Sequence, residues 1–495
     1  MIILPLLLLT LIASCQQQLP ERYQEINALP PIYPDYANVT IPVNIAPLNF
    51  ELLADVDAMM TRFSAEGMDI IVSGQKARLD IDEWKSLTAN AAGKDISVEV
   101  FTEKDGQWAR FKPFAIHVSK DAIDPWMSFR LISPSYVSYE ELTLSQRCLE
   151  DFHEEVFVDN MLCSTEFGGQ CVNCHSFQQY NPQRMQFHAR ENNGGTIIAY
   201  DGQLQKINMQ HDSLLSAGVY PAWHPALKLI AYSTDKTIQS FHTAHSNKIE
   251  VLDTQSDLIL YDIEKNIVTT IERQPDELEV FPAWSPDGGA LYFSSAHFKY
   301  EAGSPSSEEI LTRASEVKYN IYRKDFNLTT RQFGKREMLF CADTIGCSAT
   351  LPRLSPDGKW MLFTLAASGC FPIWHHEADL WLMNTATGEA RPLDECNSPD
   401  TESYHSWSSN SRWIVFSSRR HDGVFTRPFI AHIDNKGQAS KPFELPTRDP
   451  DYHLQLTKSY NVPELMKGSV TISPQTFASK LKEDGIAVSY LPAKQ

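Results

Sequence analysis

The sequence predicts a mainly β protein: a C-terminal β-propeller, an N-terminal β-sandwich-like domain, and a small cofactor-binding insert between them. Three observations predict it. A short motif recurs in four variably worn copies after residue 195, its fullest form being Phe281-Pro-Ala-Trp-Ser-Pro-Asp-Gly288 running into an apolar strand. Alternating apolar and polar residues run through residues 38–140. A chain of 495 residues is also too long for one ordinary core.

In chain order, Ile2 to Ile12 is an apolar run ending in Ala13-Ser14-Cys15. It is too short to span a bilayer, which takes about 20 residues, and has the length of a signal-peptide core. Its ending resembles the lipobox of bacterial lipoproteins, which implies lipidation of Cys15 and an anchored mature protein, although no Lys or Arg precedes the run. The alternative is a plain cleaved signal peptide. Residues 16–37 are polar and proline-rich and read as a tether, at about 3.1 Å per residue in polyproline II. Residues 38–140 read as short strands: Ile96, Val98 and Val100 alternate with polar residues, as do Phe114, Ile116 and Val118. The stretches 55–64 and 82–92 look helical instead. Residues 141–194 read as a separate insert, with Leu149, Phe152, Val156, Phe157 and Met161 at helical spacing.

From 195 to 465 the repeats follow. Tyr220-Pro-Ala-Trp-His-Pro225, Phe281-Pro-Ala-Trp-Ser-Pro-Asp-Gly288, Leu351-Pro-Arg-Leu-Ser-Pro-Asp-Gly358 and Tyr404-His-Ser-Trp-Ser-Ser-Asn-Ser411 each run into an apolar strand. Ser-Pro-Asp-Gly makes a tight turn because Pro fixes φ, Asp bonds back to the backbone and Gly accepts φ > 0. Repeats tens of residues apart, each two or more strands long, are the signature of a propeller. These copies resemble the repeats of TolB-type propellers, found also in the non-catalytic domain of prolyl oligopeptidases. That resemblance implies six blades, of which four are visible. Thr196 to Tyr200 is a strand expected to close the ring, Tyr452 to Pro463 reads as a worn blade element, and 466–495 as a tail.

The chemistry lies in Cys171-Val172-Asn173-Cys174-His175, which matches the C-x-x-C-H pattern of covalent haem c attachment. Two cysteines three apart reach the two vinyl groups, and the next residue meets the iron. The composition gives about 0.005 such matches by chance. A C-x-x-C dithiol would sit in a βαβ unit, and zinc would want a second Cys/His pair; neither is visible. Met185 and His188 are the candidate distal ligands, and an empty distal position is the third option. The remaining cysteines suggest the close pairs Cys148/Cys163, Cys341/Cys347 and Cys370/Cys396, with free thiols as the alternative. His242, His245 and the His375-His376-Glu377 run read as exposed loop residues rather than metal ligands.

A net charge of −19 argues against a nucleic-acid partner, and no G-x-S-x-G nucleophile motif occurs, so no hydrolase is expected. The sequence therefore predicts a lipid-anchored mono-haem protein of a Gram-negative cell envelope. Its propeller would dock an envelope protein for electron transfer; the alternative is a non-enzymatic scaffold with structural haem or none.

Overall fold

The computed structural model describes residues 18–133, 141–164, 171–243 and 247–492. The lipobox cysteine Cys15, Gly168-Gly169 and His245 lie outside them. Among the described residues no helix is long and apolar enough to cross a membrane.

The protein is mainly β with a propeller-like arrangement of sheets. Among the described residues six antiparallel four-stranded units can be traced, the third and fourth joined into one sheet by the parallel pair Ser256 and Leu278. The first pairs Trp126–Ile132, Thr143–Cys148 and Glu154–Asp159 with a strand from far downstream, Ser459–Met466. The second comprises Cys171–Phe177, Arg184–Arg190, Gly195–Tyr200 and Gln203–Asn208. The third, fourth, fifth and sixth begin at Val219–Trp223, Glu277–Trp284, Ser348–Leu354 and Glu402–Trp407.

The same backbone device recurs in all six. The strand at one edge of each unit carries a bulge with a left-handed, non-glycine residue: Cys174, Tyr220, Phe281, Leu351, Tyr404 and Val462, with φ between 47° and 57°. Bulky side chains rarely adopt this conformation, so a sixfold recurrence marks it as part of the repeat, held by its neighbours in each unit. The repeat tryptophans join neighbouring sheets. Trp284 donates to the Ala222 carbonyl at 3.1 Å, Trp407 to that of Arg353 at 3.1 Å, and Trp223 to Ser176 Oγ at 3.0 Å. The turns form as their residues require: Ser285 Oγ donates to Asp287 at 2.6 Å and Gly288 takes φ 72°.

The N-terminal residues build a seven-stranded sheet and a three-stranded sheet around one core, with the helix Ile81–Asn90 capped by Asp80. That helix falls where the sequence suggested one. The other helical stretch is the strand Ala58–Ala65, whose buried residues Met59, Thr61, Phe63 and Ala65 follow period two. The core of this domain continues into Trp413, Val415 and Ile430 of the sixth sheet.

Several expected boundaries differ. The described part of the tether is packed: Gln24–Ile26 pairs with Gln107–Phe111, and Tyr36 is fully buried, because its aromatic residues outweigh the extending effect of the prolines. Residues 141–194 form no separate insert. They supply two strands of the first sheet and two of the second, and the helical spacing at 149–161 resolves into Glu154–Asp159 plus a short turn of helix, Asn160–Cys163. Propeller-type sheets therefore begin at Trp126, not 195. Thr196 to Tyr200 is the third strand of the second sheet, and Ser459–Met466 pairs with Trp126–Ile132 of the first. The tail docks: Pro474–Leu481 enters a core, while Ile486–Ala487 and Ser489–Tyr490 extend two sheet edges. The cysteine pairs do not form; all eight described cysteines are free thiols.

Candidate functional site: a thiol and imidazole pair in the central cavity

All six bulged strands line one cavity of about 530 Å³, within the range of small-molecule and cofactor sites. The Cys171–His175 motif is the edge strand of the second sheet. Cys174-His175-Ser176-Phe177 occupies the repeat position held elsewhere by Tyr220-Pro-Ala-Trp223. The bulge leaves Cys174 and His175 opposite a single residue, Phe187, and both side chains line the cavity with Cys171. Val172, between them, points into the core behind. Local bonds hold the strand: Asn173 Nδ2 donates to Cys171 Sγ at 2.8 Å, Arg130 donates to Asn173 Oδ1, and Gln186 donates to the Cys174 carbonyl.

His175 is the candidate ligand. Its side chain hydrogen-bonds the Val462 backbone of the first sheet, while its Nε2 is buried without a hydrogen-bond partner. An imidazole tied to a carbonyl through one nitrogen, with the other left unpartnered, has the bonding pattern seen in metal-bound histidines. Burial, reinforced by the Arg130 charge, pushes its pKa down to about 3, so the ring is neutral. Burial raises both motif thiols, keeping them protonated.

The walls suit a large, flat, partly anionic group. Tyr220, Trp223, Phe281, Trp284 and Phe371 contribute aromatic surface, and Arg130, Arg190 and Arg353 contribute cations, in a chain whose formal net charge is −19. Haem carries vinyl groups for the thiols, iron for His175, an apolar face for the aromatics and two carboxylates for the arginines. The residues present therefore fit it. Among the described residues no group of three or more His, Cys, Asp or Glu gathers as for a bare metal ion.

Neither proposed distal ligand reaches this cavity. Met185 lies opposite Phe177 on the core face of its strand and is fully buried among apolar residues. His188 Nδ1 contacts Thr196 Oγ1 at 3.1 Å. The reason is strand geometry: the hairpin that follows the motif carries both residues behind it. The cavity does hold a second histidine, His405, but its Nε2 contacts the Leu351 and Leu362 carbonyls at 2.8 and 3.2 Å. Arg130, Arg190, Arg353 and Glu464 escaped the sequence reading. Aligning all six edge strands would have exposed the last two.

A long hairpin, Leu229–Phe241 with Ile249–Asp262, rises from the third sheet and adds Thr237, Gln239 and Val251 to the cavity wall. It is fastened to the fifth sheet. His375 is buried, not exposed, and sits between Glu250 of the hairpin at 3.3 Å and Glu377 at 3.1 Å; His376 N donates to Asn247 at 3.2 Å. Burial alone would depress the His375 pKa, but the two carboxylates outweigh it and lift the value to about 9. The fastening is therefore fully present below pH 6.5 and lost as pH rises through about 9. Amide hydrogen exchange across Ile249–Thr254, corrected for the intrinsic rate, is expected to accelerate over that window. His375→Gln should abolish this pH dependence.

No family model matches the sequence, and no curated protein matches it. Solved structures with similar shape include a luciferin-regenerating enzyme, at 12% identity and a TM-score of 0.36, covering 62% of this chain and 85% of that one. Prolyl oligopeptidase B from Galerina marginata matches at 8% identity and a TM-score of 0.37, over 66% of this chain and 44% of that one. Lignostilbene dioxygenase from Pseudomonas brassicacearum matches at 10% identity and a TM-score of 0.36, over 80% and 91%.

Proposed function

We propose that this chain is an exported, lipid-anchored haem c protein of a Gram-negative cell envelope, with Cys15 as the lipidated residue. In this reading the six sheets are the blades of a TolB-like propeller closed by Ser459–Met466, and the N-terminal domain is a sandwich-like accessory. Cys171 and Cys174 hold the porphyrin by thioethers and His175 binds the iron. The observation that carries this is the His175 imidazole, neutral, anchored at Val462 and with Nε2 unpartnered among the described residues, beside the same cavity as both motif thiols. Bound there, haem would supply a one-electron iron centre. The chain would orient it by three fixed points, exclude water with its aromatic walls, and exchange electrons with an envelope protein docked on the propeller.

One observation favours a second reading. Met185 and His188 both lie off the cavity, so neither would complete the coordination of a haem bound there, which supports small-molecule chemistry instead of pure electron transfer. Spectra of the full chain, made in a host with haem-maturation machinery, test both. A sharp reduced haem c α band supports the assignment, and colourless protein sinks it. Low-spin oxidised iron favours electron transfer; high-spin iron that takes up cyanide favours the open site.

A further inference from the structure

We infer that the cavity contains a second subsite, where Arg353 and Glu464 face a common space and together bind a carboxylate or small oxyanion. The repeat itself points to it. Two residues after the left-handed position, four strands carry Ser176, Ala222, Ala283 and Ser406. The other two carry Arg353 and Glu464, on the strands flanking that of Ser406. Small residues at this level leave room, and the two charged groups project into it.

Their bonding is incomplete. Glu464 takes the Phe177 backbone amide, yet its Oε2 is buried without a partner. The Arg353 guanidinium reaches the Pro352 carbonyl at 3.4 Å, and among the described residues it forms no ion pair within 4.0 Å. A half-buried arginine and glutamate with a purely structural role would close on each other, because an uncompensated charge shielded from water is costly. These two are held apart. Burial also lifts the Glu464 carboxyl to about 8, so at neutral pH it is an O–H donor. One guanidinium and one carboxylic acid converging on a gap form an acceptor-binding pair, and an anion satisfies both.

The anion has two sources: a free small acid, or a carboxylate arm of a larger group in the same cavity. The subsite stands without haem; only the second source rests on the haem reading. The full chain made without haem-maturation machinery should bind acetate saturably, read by calorimetry and by quenching of Trp223 and Trp284. Arg353→Met should weaken binding about tenfold or more. If Arg353→Met fails to fold, Arg353→Lys keeps the charge and should still lose several-fold through its missing planar fork. Glu464→Gln, which keeps a donor, should bind acetate nearly as the parent does. Acetate binding by both haem-free and haem-loaded chains supports a free anion. Binding by the haem-free chain alone supports a carboxylate arm of the haem. No saturable binding to the haem-free chain, or equal binding by parent and Arg353 variants, overturns the subsite.

Discussion

The double variant Cys171→Ala, Cys174→Ala is expected to emerge colourless and at the bare polypeptide mass from a host in which the parent carries covalent haem. Both thiols line the cavity and neither is bonded to another cysteine, so their loss removes the attachment chemistry without opening the packed core. The haem-free forms of variant and parent should therefore differ in stability by less than about 1 kcal/mol, as substitutions away from packed features usually do. Each single variant retains one thioether position and should hold haem less completely. If covalent haem persisted in the double variant, the assignment to this strand would be wrong. A large fall in stability would instead show that the thiols serve the fold.

The second large effect is structural. Tyr460→Ala should destabilise the protein by about 3–5 kcal/mol, the cost of emptying a large buried aromatic site. Tyr460 is fully buried on the strand Ser459–Met466, which pairs with Trp126–Ile132 more than 300 residues earlier. Its ring packs on Phe129 of the first sheet, with centroids 4.7 Å apart, and its carbonyl accepts hydrogen bonds from Ser417 and Thr426 of the sixth sheet at 2.9 and 2.6 Å. It also belongs to the core of the N-terminal domain. The residue thus couples three parts of the molecule, its ring through packing and its carbonyl through bonds that the substitution leaves in place. Urea unfolding monitors this, with Leu454→Ala, at an exposed position, as the control expected to stay within about 0.5 kcal/mol. Equal effects of the two substitutions would show that closure contributes little.

What the sequence made legible, and what it hid, follows from local chemistry. Four repeats were readable because each pairs an aromatic-Pro-x-Trp type of strand with a Ser-Pro-Asp-Gly type of turn, two signals that act within a dozen residues. The second sheet was hidden because Cys174-His175-Ser176-Phe177 has neither the Pro nor the turn that follows it elsewhere; a 3-10 turn, Gln178–Tyr180, stands in its place. The motif's match to a haem signature suggests an insert, whereas its residues form the edge strand of the second sheet. The first sheet was hidden by distance. Val462-Pro463-Glu464-Leu465 keeps the repeat's bulge and proline, but its partner Trp126–Ile132 lies more than 300 residues earlier, and no local pattern announces such a pairing.

The site was half legible. Spacing named Cys171, Cys174 and His175, and the structure brings all three to one cavity. Proximity in sequence suggested Met185 and His188, and failed because the next strand runs antiparallel and carries Met185 to the core face behind the motif. The three arginines and Glu464 come from four different strands, so only the folded arrangement collects them. His375 illustrates the same point: beside a second histidine and a glutamate it read as a loop residue, while its deciding partner, Glu250, is 125 positions away.

The most direct test of the central claim is the intact mass of the exported full chain, followed by mapping of the peptide that contains residues 171–175. The haem assignment predicts the mass of one haem, carried on that peptide alone and lost when Cys171 and Cys174 are both replaced. Unmodified Cys171 and Cys174, in cells where a control c-type cytochrome is fully loaded, would contradict it.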